Sequence, residues 1–264
     1  MGNKIKPNIR KEKDSMGIIN VPKDALYGAQ TQRAVENFNI SGQTIPKPVI
    51  QALGIIKRSA AIVNNKLNIL PNDIKKLIVN AADEVISGKF NDQFVVDIFQ
   101  TGSGTSSNMN CNEIIANRAN SFIKVNKHSK KLIIHPNNHV NMGQSSNDVI
   151  PTAIHIAAYI EIENNLIPNL KQLYKELNKK AKEFAGVIKI GRTHIQDATP
   201  ITLGQEFSGY AQMIYNGIQR IENTKKHLCQ LAQGGTAVGT GINTKSNFGK
   251  LMADEISNYS NLKF

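Results

Sequence analysis

The sequence predicts a mainly α protein. Long stretches carry apolar residues at the 3.6-residue period of a helix. Two of these stretches are longer than ordinary globular helices, as in a helical bundle. Strand signals are few.

In chain order, residues 48–67 place Val49, Leu53, Ile56, Ala60 and Val63 on one stripe. Segment 73–88, DIKKLIVNAADEVISG, is the clearest helix, with Ile74, Leu77, Ile78, Ala81, Ala82, Val85 and Ile86 on one face. Asp73 stands where an N-cap belongs, and Gly88 where a left-handed C′ residue belongs. A further helix is expected from about Asn108 through MNCNEIIANRAN. KLIIHP at 131–136 is a short strand candidate. From Asn147 to Phe184 the apolar period returns, its later half marked by Leu166, Leu170, Leu173, Tyr174, Leu177, Ala181 and Phe184. Pro168 predicts a kink or break within it. A second long helix is expected from about Thr202 to Ala232, with Phe207, Tyr210, Ala211, Ile214, Ile218, Ile221 and Leu228 along its stripe.

The 264 residues leave room for one large domain or two ordinary ones, and 40% hydrophobic content is enough for a core. No apolar run approaches the roughly 20 residues of a membrane span. The N-terminal MGNKIKPNIRKEKDSMG is charged without an apolar h-region, so a secretory signal is not expected. Cys111 and Cys229 are far apart and in no metal-binding spacing, which fits a reducing compartment. The cytoplasm is the expected location. A net charge of +12 raises the question of a nucleic-acid partner. The lysines are scattered, with short runs only at Lys130-Lys131 and Lys179-Lys180, and zinc-finger spacing is absent. Neither nucleic acid nor a membrane is therefore expected as partner. A protein that handles small carboxylates carries the same sign of charge.

Three polar stretches lie between the helical patterns, where binding residues tend to sit. TGSGTSSNMN (101–110) offers Ser103, Thr105, Ser106, Ser107, Asn108 and Asn110 beside glycines that let backbone approach a ligand. The helix that follows would aim free N–H groups at an anion. Without a Gly-Lys-Ser/Thr it is no Walker loop, and Ser107 occupies the third glycine position of GxGxxG. On composition alone, a plain helix-capping loop is the stronger reading. In HPNNHVNMGQSSND (135–148), His135 and His139 have the spacing of helical metal ligands, but Pro136 and the two Asn argue against a helix there. Ser145, Ser146 and Asn147 could grip a carboxylate or cap the next helix. In GRTHIQDATP (191–200), His194 follows Arg192 and Thr193 and precedes Asp197. An imidazole near its free pKa can move a proton at neutral pH. Asp197 to Pro200 could instead shape a turn and start the next helix.

Taken together, GSGTSSNMNCNEIIANRA, HPNNHVNMGQSSNDVIPTAIHIAA and GRTHIQDATPITLGQEFSGYA resemble the N-terminal signatures of class II fumarases (fumarate hydratases), in the fumarase/aspartase superfamily. EKDSMGIINVPKDALYGAQTQRAVENF and LAQGGTAVGTGINT extend the resemblance over the chain from about Glu12. Aspartases are similar, but they typically carry Gln where this chain has His194, so Thr193-His194 and QSSND favour the fumarase side. The resemblance implies an N-terminal mixed helical domain over 1–140 and the first long helices of a central bundle over 141–264. It implies reversible hydration of fumarate to L-malate in the tricarboxylic acid cycle, with no metal and no organic cofactor. The reaction is a trans elimination through a dianionic aci-carboxylate, for which preorganised donors are the main requirement. By resemblance, Ser103, Gly104, Thr105, Ser145, Ser146, Asn147 and Thr193 bind substrate, and His194 transfers a proton. His135, Pro136, Asn137 and Asn138 match a second dicarboxylate site, in which the family usually has Asp where Asn138 stands and often Arg where Leu132 stands. The family forms homotetramers whose active site draws on three subunits. Its third signature, GSSxMPxKxNP, carries a catalytic serine and is not found in these 264 residues. The chain alone is therefore expected to be impaired, and its bundle helices to expose apolar stripes.

Overall fold

The computed structural model describes residues 8–125 and 132–264. They are mainly helical, and the chain divides into two compact units, Met1–Ala157 with Leu231–Phe264, and Ala158–Gln230.

The first unit opens with an antiparallel hairpin of β1 (Ile9–Asp14) and β2 (Gly17–Pro22), turned at Ser15-Met16 and followed by Gly17 with φ +115°. Then come α1 (Ala29–Asn37), α2 (Lys47–Lys66), α3 (Asn72–Ile86) and α4 (Thr105–Val125). The helix α5 (Ser146–Glu161) begins in this unit, and α8 (Phe248–Ser260) closes it. Helix α2 is central and packs against α3, α4 and α8. Its predicted stripe is the core: Leu53, Ile56, Ala60 and Val63 are buried. Gly54 is there because a Cβ would lie 2.7 Å from Ile86 Cγ1, so glycine sets how closely α2 and α3 approach. Gly88 takes the expected left-handed conformation one residue after the Ser87 C-cap of α3. The N-cap of α3 is Pro71, one step before the helix begins, and Asp73 sits in its first turn, where a carboxylate favours the dipole.

The second unit holds the end of α5, α6 (Ile167–Glu183), an antiparallel hairpin of β3 (Ile188–Thr193) and β4 (Gln196–Thr202), and α7 (Leu203–Leu228). Helices α6 and α7 pack together through Tyr174–Tyr215 and Phe184–Phe207 ring contacts at 5.6 and 5.5 Å. Gly204 permits the approach, since a Cβ there would fall 2.4 Å from the Ala181 carbonyl oxygen. The α7 stripe is only partly covered: Ala211 and Ile218 are buried, Phe207, Ile214, Ile221 and Leu228 half-buried, and Tyr210 exposed. A capping box of Thr202 and Gln205 starts α7 within a residue of the expected position.

Several expectations need correction. KLIIHP forms no strand over its described residues 132–136; Lys131 lies outside them. The backbone of Ile134 is satisfied by a side chain instead: its N–H donates to Asn120 Oδ1, and its carbonyl accepts from Asn120 Nδ2. Asn120 thus replaces a neighbouring strand. The actual strands carry weak signals: β1 reads IRKEKD, β3 and β4 are largely exposed, and β2 alternates, burying Ile19 and Val21, over only six residues. Pro136–Val140 forms one wide helical turn, against the expectation that Pro136 and two Asn exclude a helix there. Pro136 occupies the first turn, where no N–H is needed. The break in the long 147–184 stretch falls at the wide turn Ile162–Leu166, ahead of Pro168, which sits in the first turn of α6. The ring of Pro168 would crowd the carbonyl of residue 164, and that residue lies in this turn. Helix α4 starts at Thr105, three residues earlier than expected, and α7 ends at Leu228.

Candidate functional site

The first unit brings two of the three polar stretches together. The N-terminus of α4 carries Thr105, and the N-terminus of α5 carries Ser146; their hydroxyls are 2.7 Å apart. Gly104 precedes them with φ +67°, and a Cβ there would press on Ile150 at 3.1 Å, so glycine permits both the turn and the contact with α5. Ser103 is exposed at the same turn. Asn108, one turn into α4 and 1% exposed, donates from Nδ2 to Ser146 Oγ at 3.0 Å.

The QSSND loop is held from below. Asp148 is buried, and its Oδ1 accepts from the Ser145 N–H at 2.9 Å. Its Oδ2 accepts from Gln233 Nε2, Gly234 N–H and Thr236 N–H at 3.2, 3.0 and 2.9 Å. Asn147 Nδ2 donates to the Ala237 carbonyl at 2.7 Å. One carboxylate therefore ties Ser145 to the glycine-rich stretch at 234–244. Gly234 has φ +100° and would put a Cβ 2.5 Å from Gly249 Cα, so this loop needs glycine.

Lys57 was missed. It lies on α2, one residue past Ile56 and four past Leu53, and is completely buried. Nζ donates to Asn108 Oδ1, Asn141 Oδ1 and Gln144 Oε1 at 2.7, 2.9 and 2.9 Å. Burial pulls its pKa from the usual 10.5 to about 8, against the opposing influence of Cys111 and Asp148. Burial pushes the Cys111 thiol up to about 12. A lysine inside an apolar helical stripe was the signal available in the sequence.

His135 caps its wide turn, its Nδ1 accepting from the N–H groups of Asn137 and Asn138 at 3.1 and 3.2 Å. His139 Nδ1 accepts from the His135 N–H at 2.9 Å, and burial lowers the His139 pKa. His135, Pro136 and Asn137 line a cavity of 410 Å³, with Glu12, Asp14 and Glu113 also on its wall. Those carboxylates are already engaged: Glu12 by Arg10, Asp14 by Arg33, and Glu113 by the N–H groups of Gly28, Gln30 and Thr31. A roomier hollow of 670 Å³ adjoins it, sharing Glu12, Asn117, Asn120 and Ile133 and lined also by Leu132, and contains none of the candidate site residues.

Thr193 and His194 stand in the second unit, at the tip of the β3–β4 hairpin, and both are exposed. Thr193 pairs with Gln196, leaving His194 and Ile195 as the two-residue turn. Their φ values, +47° and +62°, are those a type I′ turn requires at both positions. Asn-Gly usually fills such a turn, and a β-branched residue at positive φ is an outlier. Asp197 to Pro200 lie in β4 and so do not start the next helix. Arg192 and Asp197 face each other across the hairpin at 3.5 Å.

Serine and threonine hydroxyls thus gather at two helix N-termini, near a buried lysine and beside a glycine-rich loop, on a helical scaffold. The matching family model is that of the lyases, over residues 17–264, and the chain belongs to this family. It is 54% identical to the mitochondrial fumarate hydratase of Saccharomyces cerevisiae and 51% identical to the class II fumarate hydratase of Nitrosomonas europaea, each over 97% of this chain. Among solved structures it is similar to the crystal structure of recombinant class II fumarase from Schistosoma mansoni, with TM-score 0.91, 42% identity and 96% of this chain covered. The chain spans about half the length of the relatives it matches: 53% and 55% of the two hydratases and 53% of the Schistosoma chain.

Proposed function

We propose that this chain supplies the substrate-carboxylate loops of a class II fumarate hydratase, which interconverts fumarate and L-malate in the tricarboxylic acid cycle. The observation that carries this reading is the Thr105–Ser146–Asn108 cluster, three donor-bearing side chains gathered at two helix N-termini. Ser103, Gly104, Ser145 and Asn147 flank it. These groups would hold a carboxylate and stabilise the charge that accumulates on it as the neighbouring carbon loses its proton. Thr193 would bind substrate, and His194 would move the proton. His135 to Asn138 would form a second dicarboxylate station, with His135, Pro136 and Asn137 on the wall of the 410 Å³ cavity and Asn138 outside its lining. The identity to proteins named fumarate hydratase supports this reading over an ammonia-lyase, as does the Thr193-His194 pair. The domain boundary at 140/141, a homotetramer and a cytoplasmic location belong to the same proposal. No helix among the described residues is long and apolar enough to cross a membrane.

The assay is the loss of ultraviolet absorbance as fumarate is hydrated, with aspartate as the competing substrate. Without the GSSxMPxKxNP serine, turnover by the 264 residues alone should fall by about 10²–10⁴-fold from that of a complete relative, the usual weight of a missing general base. Adding a C-terminal half that carries that loop should restore it. Near-normal turnover alone would mean that another residue supplies the base. Ammonia release from aspartate in the restored complex would overturn the fumarate reading.

A further inference from the structure

We infer that Lys57 is a positioning residue for the carboxylate site: its buried ammonium fixes the Asn108 amide so that the Thr105–Ser146 hydroxyl pair presents a free donor outward. The inference rests on reading that pair as part of the dicarboxylate cradle.

Lys57 Nζ has three hydrogens and meets three side-chain oxygens, those of Asn108, Asn141 and Gln144. All three partners are neutral amides, so this is no ion pair. A buried ammonium is costly, and an apolar residue at this place in the core would usually be no worse for stability. Its use lies in what it does to the amides. An amide that turns its oxygen to a cation must turn its NH2 away. The Nδ2 of Asn108 then reaches Ser146 Oγ at 3.0 Å and Asn141 Oδ1 at 3.3 Å. Gln144 is locked in the same way, its Nε2 donating to the carbonyls of Val140 and Met142 at 3.0 and 3.2 Å.

A proton count gives the consequence. Thr105 and Ser146 have one hydroxyl hydrogen each, and one of these lies between them. Because Asn108 donates to Ser146, the other hydrogen is free to point outward, toward an acceptor such as a carboxylate oxygen. With the Asn108 amide reversed, Ser146 would give its hydrogen to Asn108 Oδ1, and Thr105 would give its own to Ser146. None would remain for a ligand. Lys57 therefore sets the sense of the whole chain, two bonds away from the hydroxyls it controls.

Loss of a proton from Lys57 leaves two N–H for three oxygens, and one amide loses its donor. Burial has brought this event down to about pH 8. The titratable groups that bear on it among the described residues are Cys111 of α4, kept as a thiol by burial, and Asp148 of α5, whose oxygens accept N–H bonds.

The test uses the 264-residue chain with labelled asparagine side chains. With no ligand present, the Asn108 amide signals should titrate with a midpoint near 8 in the parent and stay flat in Lys57→Met. An Asn108 titration that survives in Lys57→Met overturns the inference. Calorimetric binding of succinate, an unreactive dicarboxylate, should be about tenfold weaker in Lys57→Met, the value of one lost hydrogen bond. The variant should also lose the parent's weakening above pH 8. Asn108→Asp keeps a partner for Lys57 but offers Ser146 an acceptor, and it should show the same loss. It also keeps the inference testable if Lys57→Met does not fold. Parent-like binding by Asn108→Asp overturns the inference. A parent that ignores succinate overturns the dicarboxylate reading instead, while the ligand-free titration still decides the role of Lys57.

Discussion

Replacing Asp148 with Asn should unfasten the QSSND loop from the glycine-rich loop. The carboxylate accepts four N–H bonds, one on Oδ1 from Ser145 and three on Oδ2 from Gln233, Gly234 and Thr236. An Asn of the same shape has one oxygen. Its best orientation keeps the three bonds from the glycine-rich loop and turns NH2 against the Ser145 N–H, donor against donor. Hydrogen bonds to a charged group contribute about 1.5–3 kcal/mol each and neutral ones about 1 kcal/mol, so one is lost and three are weakened. Half-exposed Ser145 recovers part of this from water. The expected cost is about 3 kcal/mol, large for a single substitution. Urea unfolding followed by far-UV circular dichroism measures it, since the chain has no Trp to report by fluorescence. Succinate binding should weaken in parallel, because Ser145 and the Asn147–Ala237 contact depend on the same fastening. A destabilisation below about 1 kcal/mol would refute the reasoning, showing that the four donors find other partners.

Three further outcomes are expected. Ile195→Gly should stabilise the β3–β4 hairpin by about 1 kcal/mol by removing a β-branched residue from positive φ; thermal unfolding checks this, and an unchanged melting temperature counts against the strain. Gly204→Ala should destabilise the second unit by about 1–3 kcal/mol, since its Cβ would meet the Ala181 carbonyl at 2.4 Å and α6 and α7 must part; loss of helix signal on heating reports it. Folding depresses the Lys57 pKa from 10.5 to about 8, so between these values the unfolded chain binds more protons than the folded one. The Lys57 contribution should therefore rise with pH across that window by up to about 3 kcal/mol, while the raised Cys111 thiol opposes it above about pH 9 in parent and variant alike; the difference between parent and Lys57→Met urea midpoints at pH 7.5 and 10 decides it.

The mainly helical class, the apolar faces of α2 and α3, the start of α7 at Thr202 and the lyase family are legible in the amino-acid order alone. Each of these is written in local spacing or in long motifs. The hairpins stayed hidden, because β1, β3 and β4 bury no large side chain and the one clearly alternating strand, β2, is only six residues long. KLIIHP looked like a strand because its residue types favour one, yet the Asn120 side chain satisfies Ile134 in place of a neighbouring strand. Which polar groups meet is set by how the helices pack. Thr105 and Ser146 are 41 residues apart, Lys57 and Gln144 are 87, and Asp148 and Thr236 are 88. No local period encodes such separations; they arise when the helices pack and every buried polar atom must find a partner. The sense of the hydroxyl pair is decided at that level too, by an ammonium on a third helix that must place all three of its protons.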